Sequence, residues 1–219
     1  MDYKKIVLVI GLCAIIWVPA AGANQSQKEV PSVVLEAKAT ATGLDKDFQK
    51  ARESFLKKDL NASAAAIRKG AAYLASLERQ ALENRERAYL ASMERLETLA
   101  NRVEKGTVKS VKELDREFAN TYHALAQYHY DRAKESWAMK EASRTGQELQ
   151  AAGAQLESAI KQAGGTAESK AGPVIQETRL IARRLLQGAG YINAEVEKGV
   201  KDLGVEMVKI GETVRAIEK

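Results

Sequence analysis

A segment that occurs twice is the feature that most constrains the fold of this chain. Residues Ala51–Ala81 recur as Ala133–Ala163 with an offset of 82 residues, no gap and nine identical positions. Both copies are rich in Ala, Leu, Lys and Glu, which have high helix propensity, and both contain a short polar turn. The recurrence predicts an internal duplication of a helical hairpin, although two Ala-rich helices can also match in part by chance.

The composition favours helices throughout the chain. Only three of the 219 residues are proline and 5% are aromatic, whereas 45% are hydrophobic and 29% are charged. Helix-favouring residues in these proportions are typical of folded helical proteins. We therefore predict an all-α fold, an elongated antiparallel bundle of five to six helices.

The charge distribution argues against a nucleic-acid-binding protein. The net charge is +5, but it is the small difference between 34 basic and 29 acidic side chains that interleave along every predicted helix. Nucleic-acid-binding proteins instead concentrate basic residues on one face or segment. The interleaved pattern is typical of solvated helix faces.

The N-terminal segment 1–23 has the pattern of a secretory signal peptide. Lys4 and Lys5 precede an apolar run, Ile6–Val18, which is followed by a small-residue motif, Ala21-Gly22-Ala23. These are the three parts of a cleavable signal, and the apolar run is short for a membrane-spanning helix. We expect export, with the bacterial periplasm as the destination and Asn24 as the mature N-terminus. An uncleaved membrane anchor is the alternative.

Cysteine usage narrows the chemistry that the exported chain can perform. Cys13 is the only cysteine and lies inside the predicted signal peptide. A mature chain without cysteine has no disulfides, and it cannot use thiol catalysis or thiolate metal ligands.

The pattern of helix and turn signals divides the mature chain into four parts. We predict a flexible leader at 24–44, a bundle of helical hairpins at 45–163, a Gly-rich linker at 164–172 and C-terminal amphipathic helices at 173–219. Within the bundle, the first helix is predicted to start at Asp45. A second, capped by Asn61, is predicted to run without interruption to Gly106. Pro173 suits the first position of the helix after the linker.

The last helix carries the most regular apolar seam. Its apolar residues recur in steps of four and three: Val196, Val200, Leu203, Met207, Ile210, Val214 and Ile217. Gly204 and Gly211 each follow a seam residue. Because glycine costs about 1 kcal/mol in a helix interior, they indicate close approach of another helix or of a membrane. We expect the C-terminal helices to pack on the bundle.

The repeated hairpin resembles tetratricopeptide-type helical hairpins over 51–74 and 133–156. In the first copy the matching residues are Ala51, Phe55, Lys58-Asp59-Leu60, Ser63, Ile67 and Gly70. In the second copy they are Ala133, Trp137, Lys140-Glu141-Ala142, Thr145, Leu149 and Gly153. The resemblance implies close packing within each helix pair. The tandem period and closing proline of that family are absent, so it extends to the local hairpin alone.

A polar-aromatic patch over 121–130 contains both histidines. His123 and His129 are six residues apart, which places them about 120° apart on a helix and excludes a shared metal ion. We expect this patch to pack in the core, with Tyr122, Leu125 and His129 facing one neighbour. Ala126, Tyr130 and Trp137 are expected to face another neighbour.

No motif in the sequence indicates catalysis. Gly-rich phosphate loops, nucleophile elbows and paired catalytic carboxylates are not evident, so we assign no catalytic, cofactor-binding or metal-binding residue and no cofactor. We expect a non-enzymatic scaffold, chaperone-like or protein-interaction module. Its partner would be a second copy or another envelope protein, not a nucleic acid. The alternative is a lipid- or membrane-surface-binding protein that uses 173–219. The candidate interaction residues are Tyr122, Tyr128, His129, Tyr130, Trp137, Val196, Val200, Leu203, Met207 and Ile210.

Overall fold

The computed structural model describes residues 30–80, 87–164 and 168–216, and these ranges form an all-α fold. The predicted signal peptide 1–23 therefore lies outside the described residues, as does Ile217. The helices are α1 (Val30–Leu56), α2 (Leu60–Gln80), α3 (Arg87–Glu104), α4 (Val111–Ala138), α5 (Ala142–Gln162), α6 (Glu168–Gln187) and α7 (Asn193–Ala216). Each packs against its neighbours in the chain, as expected of a helical bundle.

Two hydrophobic cores hold the bundle, and α4 contributes to both. Phe118 and Tyr122 belong to the first core, with residues mainly from α1, α2 and α3. Ala126 and Ala133 belong to the second core, with residues from α5, α6 and α7. Because a helix that is apolar on two faces must be covered on both, α4 lies at the centre of the fold.

The contact between α1 and α4 is built from aromatic rings. Phe48 stacks on Phe118 with 4.0 Å between ring centroids, and Tyr122 meets Phe48 edge-on at 5.4 Å. The Tyr122 hydroxyl donates a hydrogen bond to the Asp45 carboxylate. Burial, together with this carboxylate, raises the pKa of Tyr122 far above its ordinary value, so the hydroxyl stays a donor. Phe48 and Asp45 thus tie the first helix to the central one.

The same turn geometry recurs at the 82-residue offset. Lys58 and Lys140, at the ends of α1 and α4, both have φ of 61°, in the left-handed region. Gly106 and Gly188, after α3 and α6, have φ of 65° and 68°. At all four positions the backbone amide donates to the carbonyl three residues earlier, and the next amide donates to the carbonyl five residues before it. This is the Schellman ending, which satisfies the last helix carbonyls.

An ion pair that spans each of these glycine turns recurs in the same way. Arg102 contacts Glu113 at 2.6 Å, and Arg184 contacts Glu195 at 3.1 Å. Both partners in the second pair lie 82 residues after those in the first. The first pair connects α3 to α4 and the second connects α6 to α7. The same kind of ion pair therefore stabilises both helix junctions.

The prediction of one uninterrupted helix from Asn61 to Gly106 is wrong. The chain reverses, and α2 and α3 pack against each other. Arg68 contacts the Glu104 carboxylate at 2.7 Å although 36 residues separate them. A continuous helix would place them about 54 Å apart. The reversal lets both segments bury their apolar stripes, and the described residues form seven helices where five to six were expected for the chain.

Two predicted helix starts also differ from the structure. The first described helix begins at Val30, so Asp45 lies inside α1 and caps nothing. At α2, the cap is Asp59 and not Asn61, because the Asp59 carboxylate accepts a hydrogen bond from the Ala62 amide at 3.0 Å. An acidic residue two positions earlier supplies the oxygen that the first amides need.

Pro173 is not the first residue of its helix. Helix α6 begins at Glu168 and contains Pro173 near its start. Ala171 is completely buried in the second core, and this burial accounts for a helix that begins earlier than the proline signal indicates.

The aromatic contact between α1 and α4 makes a testable contribution to stability. We expect Phe118→Ala to lower the free energy of unfolding by about 3–5 kcal/mol, because it removes a fully buried ring and leaves a cavity. Urea titration followed by circular dichroism measures the change. Leu180→Ala is the control, since Leu180 is half exposed and should cost much less. Equal losses in the two variants would contradict this account of the core.

Candidate functional site

The residues predicted to form an interaction surface separate into three sets. Five are core side chains with at most 1% exposure: Tyr122, Val196, Leu203, Met207 and Ile210. Tyr128 and His129 lie in a polar cluster with Arg132 and with Glu148 of α5. Tyr130, Trp137 and Val200 line a groove between α4 and α7. The third set therefore lies on a surface that a partner could reach.

The α4–α7 groove has a volume of about 660 Å³. Helix α4 contributes Gln127, Tyr130, Lys134 and Trp137, and helix α7 contributes Glu197, Val200, Lys201, Gly204, Val205 and Val208. Apolar and aromatic side chains form its walls, with Lys and Glu side chains among them. The groove therefore combines two aromatic rings and several apolar side chains with three charged ones.

Two valines make this groove apolar at its open side. Val205 is 49% exposed and Val208 is 60% exposed. Neither was among the predicted interaction residues, because both lie off the apolar seam of α7. Their place off the seam is nevertheless a sequence signal that could have identified them. An apolar residue outside the buried seam of an amphipathic helix faces solvent unless another element covers it.

Two glycines of α7 lie against rings of α4, and one of them, Gly204, also lines the groove. A Cβ atom at Gly204 would lie 2.9 Å from Cζ of Tyr130, and one at Gly211 would lie 2.8 Å from Nε2 of His123. Both separations are shorter than a normal contact, so only glycine allows these rings to lie against the helix. Residue numbers rise along α4 as they fall along α7, so the two helices are antiparallel. The close approach of another helix explains both glycines.

His123 is bonded to the backbone of α7. Its Nε2 lies 2.9 Å from the Met207 carbonyl oxygen, to which it donates. Burial lowers the pKa of His123, and the nearby Arg215 guanidinium lowers it further, while the Met207 carbonyl opposes these effects. Burial and Arg215 together outweigh the carbonyl, so the neutral imidazole is favoured.

Tyr128 and His129 belong to a polar cluster that ties α4 to α5. The Glu148 carboxylate accepts hydrogen bonds from Nδ1 of His129 at 2.8 Å and from Nε of Arg132 at 2.7 Å. Arg132 also donates to the Tyr128 hydroxyl at 3.0 Å. Burial acts to raise the pKa of Glu148, but its contacts with His129 and Arg132 outweigh the burial and lower it. Both carboxylate oxygens accept hydrogen bonds from residues of α4, so Glu148 connects α5 to α4.

The predicted two-sided packing of the polar-aromatic patch is largely confirmed. Tyr122 and Leu125 belong to the first core, and Ala126 belongs to the second core, with Tyr130 and Trp137 packed against it. His129 departs from the prediction because its hydrogen bond with Glu148 places it beside α5.

The described residues contain neither a metal-binding cluster nor a membrane-spanning helix. No group of three or more His, Cys, Asp or Glu side chains in these ranges could hold a metal ion. No described helix is long and apolar enough to cross a bilayer.

Comparisons with protein-family models, with curated protein sequences and with solved structures gave no match for this chain.

The close packing at Gly211 can be tested with a matched pair of variants. We expect Gly211→Ala to lower the free energy of unfolding by about 1–3 kcal/mol, because the new methyl group would overlap the His123 ring. Gly43→Ala is the control: a Cβ added there would have no neighbour within 4 Å, so the better helix former should stabilise the chain by about 0.4–1 kcal/mol. Stabilisation by both substitutions would show that α7 does not approach His123 this closely.

The lowered pKa of His123 predicts a pH dependence of stability. Below its unfolded-state value of 6.5, the unfolded chain binds a proton more readily than the folded chain. Stability due to neutral His123 is therefore complete above that pH and decreases as the pH falls toward the folded-state pKa. We expect His123→Gln, which keeps a donor for Met207, to flatten the decrease between about pH 8 and pH 5. Denaturant unfolding at several pH values measures the free energy of unfolding of the native protein and of the variant. Parallel pH profiles for the two proteins would show that His123 does not cause the decrease.

Proposed function

We propose that this chain is an exported, non-enzymatic helical protein that binds another polypeptide, as a scaffold or chaperone-like interaction module. The observation that supports it most directly is the α4–α7 groove with Val205 and Val208 exposed at its open side. Exposed apolar side chains that adjoin an aromatic groove are typical of protein–protein contact sites.

The shape of the groove favours a helical segment as the occupant. It runs between two antiparallel helices, and Tyr130 and Trp137 offer ring surface along one side. Tyr and Trp are enriched at protein interfaces. An amphipathic helix would place its apolar face on these rings and on Val208, and its polar residues beside Lys134 and Lys201. We therefore propose helix-in-groove binding.

Export is the second part of the proposal. The basic start, the apolar run and the Ala21-Gly22-Ala23 motif support cleavage before Asn24 and a location in the bacterial periplasm.

We also propose that the chain is an internal duplication. The recurring Schellman endings, the recurring Arg–Glu pairs and the matching bounds of α2 and α5 support it. Ala51 and Ala133, each seven residues before the turn at Lys58 or Lys140, are both buried, and this supports the local tetratricopeptide-like hairpin. In this proposal α1, α4 and α7 are three occurrences of one helix type, which we name the A helices.

Lipid or membrane-surface binding by 173–219 is the rival proposal. Val205 and Val208 are its available apolar contacts on α7, since the seam residues Val196 to Val214 are mostly buried. The exposed face also carries acidic residues such as Glu197 and Glu212. Interfacial helices instead favour Lys and Arg on their polar face, so this rival has weaker support.

Photo-crosslinking in the native envelope tests the proposal. A photoreactive benzoylphenylalanine replaces Val208 in one chain and Leu180, an exposed residue of α6, in the control. We expect position 208 alone to yield an adduct with one polypeptide that mass spectrometry identifies. We also expect a mature N-terminus at Asn24. A lipid-sized adduct would favour the rival, and no adduct from position 208 would overturn protein binding.

A further inference from the structure

An exposed stripe on α7 has the chemistry of a self-complementary surface. It consists of Lys201, Val205, Val208 and Glu212, which recur at helical spacing and are all exposed. We name these four residues the α7 stripe. A basic residue stands at one end and an acidic residue at the other, with the two valines between them.

The position of Val208 is buried in the other two A helices. Subtracting the 82-residue offset once leads to Ala126 of α4, and subtracting it twice leads to Leu44 of α1. Ala126 is 0% exposed and Leu44 is 2% exposed, whereas Val208 is 60% exposed. The same helix position is thus covered twice and open once.

In both covered cases other helices of the chain lie along this side. On α1, Leu44 and Phe48 approach Gly70 of α2, and Phe48 also stacks on Phe118 of α4. On α4, Tyr130 lies against Gly204 of α7. The stripe on α7 is exposed instead, so it is available to a helix of another chain.

The order of residues along the stripe defines one register for two antiparallel copies of α7. A two-fold axis that passes midway between Glu206 and Met207 brings the exposed stripes of the two copies together. Gly204 of each copy stays against Tyr130 of its own chain.

This register makes the α7 stripe complementary to itself. Val205 of one copy meets Val208 of the other, and Lys201 meets Glu212. Because a two-fold axis repeats each contact, the interface contains two valine contacts and two Lys–Glu pairs. An arbitrary helix face would not bring opposite charges and apolar side chains together at once.

We propose that the chain forms a two-fold dimer in which the α7 stripes of two copies pack antiparallel. Each α7 then occupies the α4–α7 groove of the other copy, beside Tyr130 and Trp137. The inference rests on the proposed protein-binding function and names its partner as a second copy of this chain.

Charge exchange across the stripe tests the interface. The mature protein, purified from the envelope fraction, is compared with Lys201→Glu, Glu212→Lys and the double variant by size-exclusion chromatography with light scattering over a concentration series. Each single variant places like charges opposite each other at both pairs, so we expect dimer dissociation constants raised roughly tenfold. The double variant restores opposite charges and should recover the native value. Lys112→Glu, an exposed change at the start of α4, is the matched control and should leave dimerisation unchanged.

Three results would overturn this dimer. They are a monomeric native protein at every concentration, a dimer that resists both single exchanges, and a double variant no better than the single ones. Circular dichroism melts of each variant show that the fold is retained, which is expected because the exchanged side chains are exposed. If the native protein is monomeric but position 208 crosslinks to a different polypeptide, the proposed function stands and the dimer alone fails.

Discussion

The antiparallel contact that α4 makes with α1, and again with α7, is the interaction on which the rest of this structure depends. Between α1 and α4 it is made by stacked aromatic rings, and between α4 and α7 by rings that lie against glycines. The chemistry differs, but both contacts bring helix backbones and flat side chains close together. Helix α4 takes part in both and is therefore buried on two sides, while α7 takes part in one and keeps an open side.

The fold class and the seams of several helices could be predicted from the sequence because they follow from local periodicity. The seam of α7 is an example, since Val196, Leu203, Met207 and Ile210 are buried as their spacing indicates. The reversal between α2 and α3 could not be predicted in this way. Residues 81–86 contain neither glycine nor proline, and the apolar stripe continues beyond them. Periodicity predicts which side of a helix is apolar, but it does not predict where the chain reverses direction.

The candidate site was predicted only in part, for a related reason. Tyr130, Trp137 and Val200 line the groove, but Tyr122 has the same aromatic character and lies inside the first core. Exposure depends on which helices surround a residue, and that is a property of the tertiary fold. Val205 and Val208 were missed because a solvent-facing valine resembles any other until the uncovered side of α7 is known. The exposure of Val208 is thus a finding of the structure and not of the sequence.

The most direct test of this account is a distance between two copies of α7. A nitroxide label attached at residue 194 (Ala194→Cys) lies near the start of α7, in a mature chain expected to have no other cysteine. Antiparallel packing with Val205 of one copy opposite Val208 of the other separates the two labelled positions by roughly 37 Å along the helix axis, at 1.5 Å per residue. Pulsed electron paramagnetic resonance should therefore give one intermolecular distance of about that size. A separation near the interaxial spacing of packed helices, about 10 Å, or no intermolecular distance at all would contradict the account.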